Sequence, residues 1–375
     1  MPNNPPPEAD FTLGDIPASP PVHYAEQALL GALFLDPHRI KAIGRLDPTH
    51  FSSARHRALF AAMTELTPPA PDLHAKAPVW INAVHAQARP HSRGLALSYL
   101  HTLAGACPEP AHAPAYARMV RSDHARRTIR AHAELLIQAA TDAGLPDPAA
   151  VTLRRADELA ALVDRLAATF PSHPGSLPRT PAPALPSLQD GPDIASEEQL
   201  LLSTATAYPA ALPPMRWLRP EDFTTVLYGG LYRCLASLSG RGEPVDKVTV
   251  LWEAQQHGLL TAAFGPHEAL ELLATPAGPP EYWGEQILRR SLLRQAHLAG
   301  LHIQAFTEDL ANSPHQMITG SRRTLANLTA VRTRWQHATR QPPVARPPAR
   351  PGPAARAGPY PSRTGAPIAS SKPSR

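Results

Sequence analysis

The strongest constraint on the fold is that the sequence repeats itself once. Residues 25–66 align with residues 197–238 without a gap, at an offset of 172 positions, and the same offset places Trp80 on Trp252. With small gaps the similarity continues to "LLIQA" in the first copy and "LHIQA" in the second. This register predicts two homologous modules, each of ordinary domain size. The identical pairs are Glu26/Glu198, Gln27/Gln199, Leu29/Leu201, Leu30/Leu202, Pro37/Pro209, Leu46/Leu218, Pro48/Pro220, Phe51/Phe223, Leu59/Leu231 and Leu66/Leu238.

The 46 prolines divide the chain, because they concentrate at the N-terminus, in residues 171–192 and after Gln341. Stretches of this composition are typical of linkers and tails. The predicted organisation is a disordered N-terminus at 1–21, a first helical module at 22–142, a Pro/Ala-rich linker at 143–193 with a candidate helix at 147–169, a second helical module at 194–310, a basic helical extension at 311–340 and a disordered Pro/Arg-rich tail at 341–375.

Capping signals predict where helices begin in each module. Ser196 and Gln199 have the spacing of a capping box, in which side chains satisfy the free N–H groups of a first turn. Pro220 suits the first position of the next helix, where its missing N–H costs nothing, and the Asp47-Pro48 pair has the same role in the first copy. We interpret the repeated Glu-Gln pair in the same way, as a capping and packing feature rather than a functional pair.

The apolar pattern also indicates helices. Apolar residues between Phe223 and Leu238 recur at three- and four-residue steps, which places them on one face of a helix. Asp246 can cap a further helix that Gly258 ends. The repeated residues Trp80 and Trp252, and Phe51 and Phe223, are interpreted as core residues. The sequence therefore predicts an all-α fold of two homologous helical bundles. The expected fold-defining positions are Glu26, Gln27, Leu30, Pro48, Phe51, Trp80, Glu198, Gln199, Leu202, Pro220, Phe223, Pro244, Asp246 and Trp252.

Positive charge is concentrated at the C-terminal end. No acidic residue follows Asp309, whereas 11 arginines and lysines do. Such a segment can bind phosphates by releasing counterions, which makes nucleic acid a candidate partner. The alternative is a solvated tail, because no aromatic residues are interleaved with the arginines for base stacking. The candidate nucleic-acid contacts are Arg322, Arg323, Arg332, Arg334, Arg340, Arg346 and Arg350.

Other features argue against catalytic, metal and membrane classes. The two cysteines, Cys107 and Cys234, are too few for a disulfide framework or a thiolate metal site. No H-E-x-x-H or G-x-S-x-G motif occurs, and "SGRGEP" does not have dinucleotide-binding spacing. We therefore expect no catalytic residue, metal or cofactor. With no long apolar run and no signal-peptide pattern, we expect a soluble cytoplasmic protein.

Several of these stretches together resemble a known family. "LRPEDF", "LYRCLASLSGRGEPVDKVTVLWEAQQHG" and the opening "AEQALLGALFLDP" of the first copy are similar to the N-terminal domain of the DnaB family of replicative DNA helicases. The resemblance covers residues 22–140 and 194–307, although the first copy lacks the "GEPVD" element. It implies that each module is a compact helical bundle ending in a helical hairpin that pairs with another copy. In the family, such domains form a collar and contact primase and loading factors.

The motor of that family is not recognisable in this sequence. A helicase of this kind needs a P-loop that binds nucleotide phosphates, and no G-x-x-x-x-G-K-[ST] motif occurs among the 375 residues. We therefore do not extend ATP hydrolysis or strand separation to this chain, and we expect that it is not an enzyme.

Three functional hypotheses follow. The first is a non-catalytic replication-associated protein whose modules bind the replicative helicase, primase, a helicase loader or each other, with the two modules imitating a dimer of separate subunits. The second is a nucleic-acid-binding protein that acts through the Arg-rich tail and uses the modules as an oligomerisation scaffold. The third is a degenerate relative of the helicases.

Overall fold

All regular structure that can be described is helical, as the sequence predicts. The computed structural model describes residues 20–171, 177–181, 183 and 192–339, so the predicted disordered N-terminus and C-terminal tail lie outside the described residues. The α-helices are α1 (Pro21–Leu35), α2 (Ala54–Glu65), α3 (Pro71–Lys76), α4 (Val79–Ala88), α5 (Leu97–Gly105), α6 (Ala113–Thr141), α7 (Pro148–Thr169), α8 (Pro192–Ala207), α9 (Val226–Arg241), α10 (Lys247–Gln256), α11 (Pro266–Leu272), α12 (Pro280–Glu308) and α13 (Pro314–Ala338).

Proline opens many of these helices. Pro21, Pro71, Pro148, Pro280 and Pro314 each occupy the first position of a helix. The first turn has no use for the N–H that proline lacks, and the ring presets a helical φ angle. Within the folded part, the high proline content therefore starts helices rather than interrupting them.

The first module has its own apolar core. Helices α1, α2, α4 and α5 pack with the first half of α6 around Phe34, Phe51, Phe60 and Trp80. The indole N–H of Trp80 donates to the carbonyl of Leu33 at 3.0 Å, so this buried polar group is satisfied. Full burial of such aromatic side chains contributes much of the stability of a module of this size.

In each module, one long helical hairpin follows the small helices. Helices α6 and α7 form one hairpin, α12 and α13 form the other, and α6 packs against α12 while α7 packs against α13. Ile129 and Leu136 of α6 belong to the same buried cluster as Leu292 and Ile303 of α12. The hairpins therefore form one four-helix bundle, and the two modules share a core.

Helices α6 and α12 run antiparallel and approach closely. Arg130 of α6 contacts Glu308 at the end of α12, at 3.3 Å, whereas Ile137, further along α6, lies beside Gly300, earlier in α12. A Cβ atom at Gly300 would lie 2.5 Å from Ile137 Cγ1 and 3.3 Å from the carbonyl oxygen of Ala133. The small residue at this position therefore sets how near the two backbones can come.

A single arginine of the first module holds the end of α12. Arg126 donates from Nη1 to the carbonyls of Thr307 and Asp309, at 2.7 and 2.9 Å, and from Nη2 to the carbonyl of Asn312 at 2.6 Å. The last carbonyls of a helix have no partner within the helix, and a cation is favoured at that end of the helix dipole. Arg126 satisfies both requirements across the boundary between the modules.

The candidate helix at 147–169 and the basic helical extension at 311–340 are both helices, and both belong to the shared bundle. Helix α7 occupies Pro148–Thr169, inside the stretch expected to form a linker, and its Leu153, Leu159 and Val163 are buried in the bundle. The expected basic extension at 311–340 is α13, whose Val331 is buried in the same core. Each module thus ends only after the second helix of its hairpin.

We expect Gly300→Ala to lower the free energy of unfolding by about 1–3 kcal/mol, because the added methyl group overpacks the α6–α12 contact. Gly240→Ala is the matched control, since Gly240 lies in α9 with no atom near the position of the new Cβ. Helix propensity alone should make that control more stable, by up to about 1 kcal/mol. Urea unfolding of the two variants measures the difference, and equal effects would contradict close packing at Gly300.

Candidate interaction surfaces

The repeated glutamates pin the start of the following helix. Glu26 and Glu198 are buried in α1 and α8. Oε1 of Glu198 accepts the backbone N–H of Thr224 at 2.8 Å, and Oε1 of Glu26 accepts the N–H of Ser52 in the same way. Ser52 and Thr224 directly precede the N-cap residues of α2 and α9, so these hydrogen bonds fix the chain where it enters the helix. The glutamates are therefore structural residues, and they act on the next helix rather than on their own.

The two glutamates have different surroundings. His56 Nδ1 lies 2.6 Å from Glu26, and its Nε2 lies 2.7 Å from the hydroxyl of Tyr99. Burial would raise the pKa of Glu26, but the hydrogen bonds from His56 and the backbone lower it overall. Tyr228 stands at the equivalent position of the second module. There, burial dominates and raises the pKa of Glu198. The repeat has thus kept the contact and changed its electrostatics.

The predicted capping box at Ser196 is wrong. Helix α8 begins at Pro192, so Ser196 and Gln199 lie inside it rather than at its start. Gln199 and its counterpart Gln27 are half-buried on their helices. The local S-x-x-Q spacing occurs in helix interiors as well as at their ends, which is why the signal misplaced this boundary.

The second repeated motif is a short turn rather than a helix start. Pro48 and Pro220 each open a three-residue 3₁₀ turn, and the longer helices begin only after the buried Phe51 and Phe223. The prediction that Pro220 begins the long helix is therefore wrong. Val226, expected on the apolar face, is the first residue of α9 and is 91% exposed.

In each module, an arginine of the long hairpin helix fastens this turn. Arg127 of α6 donates to the carbonyl of His50 at 2.7 Å, and Arg294 of α12 donates to the carbonyls of Glu221 and Asp222 at 3.0 and 3.3 Å. Each turn is thereby held between the small helices of its module and the bundle. This contact, like the glutamate contact, is common to both copies.

Beside that contact, the second module contains a buried ion pair. The carboxylate of Asp222 is fully buried and accepts from Ser291 Oγ at 2.6 Å and from both terminal nitrogens of Arg334. The backbone N–H of Arg219 adds a further hydrogen bond at 2.8 Å. A buried charge needs such complete pairing. Arg334 of α13 also donates to the carbonyl of Trp217, so α13 is locked onto the turn.

The first module has two histidines in the corresponding place. The rings of His50 and His124 lie 4.4 Å apart. Burial, followed by the neighbouring His50 and Arg127, lowers the pKa of His124 to about 4, although the carboxylates of Asp123 and Asp47 act in the other direction. The pKa of His50 is also lowered, chiefly by burial. This contact therefore favours neutral imidazoles.

Several candidate nucleic-acid contacts are engaged within the protein. Arg334 is paired with Asp222 as described, and Arg322 and Arg332 pair with Asp164 and Asp157 of α7. In the structure acidic residues earlier in the chain already pair with these three guanidinium groups, and their contact with nucleic acid stays a prediction. Arg323 is exposed. The candidates that lie outside the described residues are Arg340, Arg346 and Arg350.

An open groove lies between α9 and α10 of the second module. Gly242, at φ +69°, ends α9, and the side chain of Asp246 caps α10 by accepting the N–H groups of Val248 and Thr249 at 2.8 and 3.0 Å. Gly258, at φ +67°, follows the end of α10, as predicted. We call the space beside this turn the α9–α10 groove. It has a volume of about 840 Å³ and is lined by Leu238, Arg241, Glu243, Pro244, Val248, Thr249, Trp252, Glu253, Gln256 and His257.

Trp252 is exposed in this groove, so its assignment to the core is wrong. Its side chain is 63% exposed and that of Val248, one turn earlier, is 69% exposed, whereas Trp80 is only 2% exposed. Trp80 is the second residue of α4 and Trp252 is the sixth of α10. The connections that lead into these helices differ in length between the modules, so the offset of 172 positions does not hold there and the two residues are not structural equivalents.

A charged network forms one wall of the groove. Arg241 pairs with Glu243 at 2.9 Å and with Glu253 at 3.0 Å. His257 lies 3.5 Å from Glu253. The guanidinium of Arg241 faces the two carboxylates of Glu243 and Glu253, so these three groups together carry one excess negative charge. The groove thus combines an apolar surface with an acidic edge.

The described residues contain neither a candidate membrane-spanning helix nor a candidate metal-binding cluster. None of the helices in the described part is long and apolar enough to cross a membrane. In the same residues, no group of three or more His, Cys, Asp and Glu side chains is placed to hold a metal ion.

Comparison with known proteins identifies the repeated unit. The family model of the DnaB-like helicase N terminal domain matches residues 18–122 and 192–283, so both matches end within the first helix of a hairpin. The replicative DNA helicase DnaB of Mycobacterium leprae (strain TN) is 30% identical over 113 residues, which are 30% of this chain and 19% of that protein. The chain therefore matches about a fifth of the relative's length. No solved structure matches significantly.

We expect Asp222→Asn to lower the free energy of unfolding by about 3–5 kcal/mol, because it leaves Arg334 half-buried without its counter-charge. Asp164→Asn is the matched control, since it removes the partner of Arg322 in a pair whose side chains are 44% and 51% exposed. An exposed pair contributes about 0–1 kcal/mol. Chemical unfolding followed by circular dichroism compares the two, and a similar small loss in both would contradict the structural role of Asp222.

We also expect the protein to lose stability as the pH falls from about 6.5 towards about 4. Between the ordinary histidine pKa and the lowered pKa of His124, the unfolded chain binds more protons than the folded chain, so acidification favours unfolding. His124→Asn should reduce this dependence while leaving stability near neutral pH less affected. Urea midpoints measured across this range test the prediction, and an unchanged pH profile in the variant would contradict it.

Proposed function

The chain belongs to the family of DnaB-like helicase N-terminal domains, and from this premise we propose that it is a non-catalytic protein of DNA replication. Its two modules would bind proteins of the replication machinery, namely the replicative helicase, primase or a helicase loader. We place this activity in the cytoplasm. The way in which the modules are joined supports the binding role, and the lack of a recognisable P-loop motif in the 375 residues supports a role without catalysis.

The observation that carries the proposal is the pairing of the two hairpins within one chain. In separate subunits, such pairing would depend on protein concentration, whereas here a linker keeps the second hairpin at high effective concentration. The α6–α12 contact is buried, and Arg126 connects the modules through three hydrogen bonds. The chain is therefore a preassembled pair of helicase N-terminal modules, able to present a fixed double surface to a partner.

The sequence supports a role without a motor of its own. No P-loop motif occurs in the 375 residues, so nothing recognisable in them would cradle nucleotide phosphates. A protein that supplies paired modules without ATP hydrolysis could act as an adaptor, or could compete with the helicase for a shared partner. Self-association through the hairpins is not needed for pairing, because each hairpin already has its counterpart.

The rival proposal is nucleic-acid binding through the Arg-rich tail. Its support is weaker in the described part of the tail, because Arg322, Arg332 and Arg334 hold α13 against the rest of the fold. Arg323 and the arginines after Thr339 remain its candidates. This proposal predicts binding that falls steeply with salt, as expected for contacts to phosphates.

The test is to mix the purified full-length chain, treated with nuclease, with the replicative helicase, primase and loader of the same organism in turn. We expect a complex with at least one of them in sedimentation or light-scattering measurements, and no ATP hydrolysis by the chain alone. Failure to form any of the three complexes would refute the adaptor role. Binding to DNA that survives dilution into physiological salt would instead favour the rival.

Two variants make this test specific for the paired arrangement. Arg126→Ala removes the three hydrogen bonds that connect α6 to the end of α12. Its control is Arg155→Ala, which removes a pair with Glu158 inside α7. If the fixed pair is what partners recognise, the first variant should bind more weakly and the second should bind as the parent does.

A further inference from the structure

The α9–α10 groove is an apolar surface without a partner among the described residues. Trp252 and Val248 lie one turn apart on α10, with Leu238 and Pro244 beside them. Single exposed apolar residues are ordinary, but a contiguous apolar groove with a polar edge is typical of a binding surface. The acidic excess of Glu243 and Glu253 over Arg241 means that a basic ligand would fit it best.

The groove is also preformed. The Asp246 cap fixes the start of α10, and Arg241 connects the end of α9 to Glu253 in the middle of α10. Because these contacts hold the two helix ends in place, a ligand would bind without first ordering the surface. A preorganised aromatic groove with an acidic edge is well suited to one class of ligand, a basic proline-rich strand, whose prolines stack on the aromatic ring.

The sequence of this chain that follows α13 has the composition of such a ligand. Residues 341–375 contain ten prolines, six arginines and lysines, and no acidic residue. The segment "PPVARPPARPGP", residues 342–353, combines closely spaced prolines with Arg346 and Arg350. Sequences of this kind favour the extended polyproline II conformation, which loses little entropy on binding because it is already extended. Its positive charge complements the acidic edge of the groove.

We propose that residues 342–353 bind the α9–α10 groove of the same chain, with prolines packed on Trp252 and arginines facing Glu243 and Glu253. This goes beyond the proposed function, since it assigns an occupant to a surface that the hairpin pairing does not use.

The point of departure of the tail makes binding within one chain feasible. Helix α13 ends at Ala338 on the second module, where Trp335 packs against the shared core and Arg334 donates to Trp217. Residues 342–353 lie 3 to 14 positions beyond Thr339, so as polyproline II the far end of the segment can lie about 43 Å from the end of α13. That is close to the width of a domain of this size, about 40 Å. At an effective concentration of about 1 mM, a contact with a Kd of about 100 µM would be about nine-tenths occupied.

The experiment uses the full chain labelled with 5-fluorotryptophan, which gives one ¹⁹F resonance for each of the five tryptophans. Trp252→Phe assigns the resonance of Trp252. The test variant replaces Pro343, Pro347, Pro348 and Pro351 by Ala. The matched control makes the same change at Pro359, Pro361 and Pro367, in the distal part of the tail.

We expect the Trp252 resonance to move in the test variant and to show a larger H₂O/D₂O isotope shift, because the indole loses its cover, while the resonance of Trp80 stays unchanged. The control should behave as the parent. Added peptide of sequence 342–353 should return the resonance of the test variant towards its parental position. High salt should weaken this effect, because it screens the arginine–glutamate attraction.

Three results would overturn the proposal. An identical Trp252 resonance in parent and test variant would mean that the tail does not reach the groove. An effect that grows with protein concentration would assign the groove to the tail of a second copy. A peptide that leaves the resonance unmoved would show that the groove does not recognise this sequence. None of these outcomes bears on complex formation with the helicase, primase or loader, so the two proposals fail separately.

Discussion

The antiparallel contact between α6 and α12 is the interaction on which the rest of the structure depends. Each of these helices begins inside the small bundle of its own module and ends in the common four-helix bundle. The contact needs a small residue at Gly300 and a cation at Arg126, because one allows close backbone approach and the other satisfies the last carbonyls of α12. Neither module is complete without the hairpin that makes this contact.

The two modules share a framework and differ in charge. In both, a buried glutamate holds the N–H that precedes the next helix, and an arginine of the long helix holds the intervening turn. Around that framework, one module places a histidine pair where the other places a carboxylate, a serine and an arginine. The repeat thus preserves contacts made to the backbone, whereas contacts between side chains have diverged.

The sequence predicts the helical class, the two modules and several helix ends, because those depend on local chemistry. Asp246 and Gly258 were identified from capping preferences alone. The buried role of Arg334 was not predictable, since its partner Asp222 is 112 residues away and only the fold brings them together. Trp252 was misassigned because an alignment offset was carried across connections of unequal length. The helix at 147–169 was predicted, but its place in the shared bundle was not, because only the fold brings its Leu153, Leu159 and Val163 against α6 and α13.

The continuity of α6 has a mechanical consequence. Its 29 residues form one rod of about 44 Å, with Ala117 and Val120 in the core of the first module and Ile129 and Leu136 in the shared bundle. No hinge separates these parts, so the first module cannot rotate against the bundle unless the helix bends. A force applied to the small helices of the first module is therefore transmitted along α6 into the shared bundle.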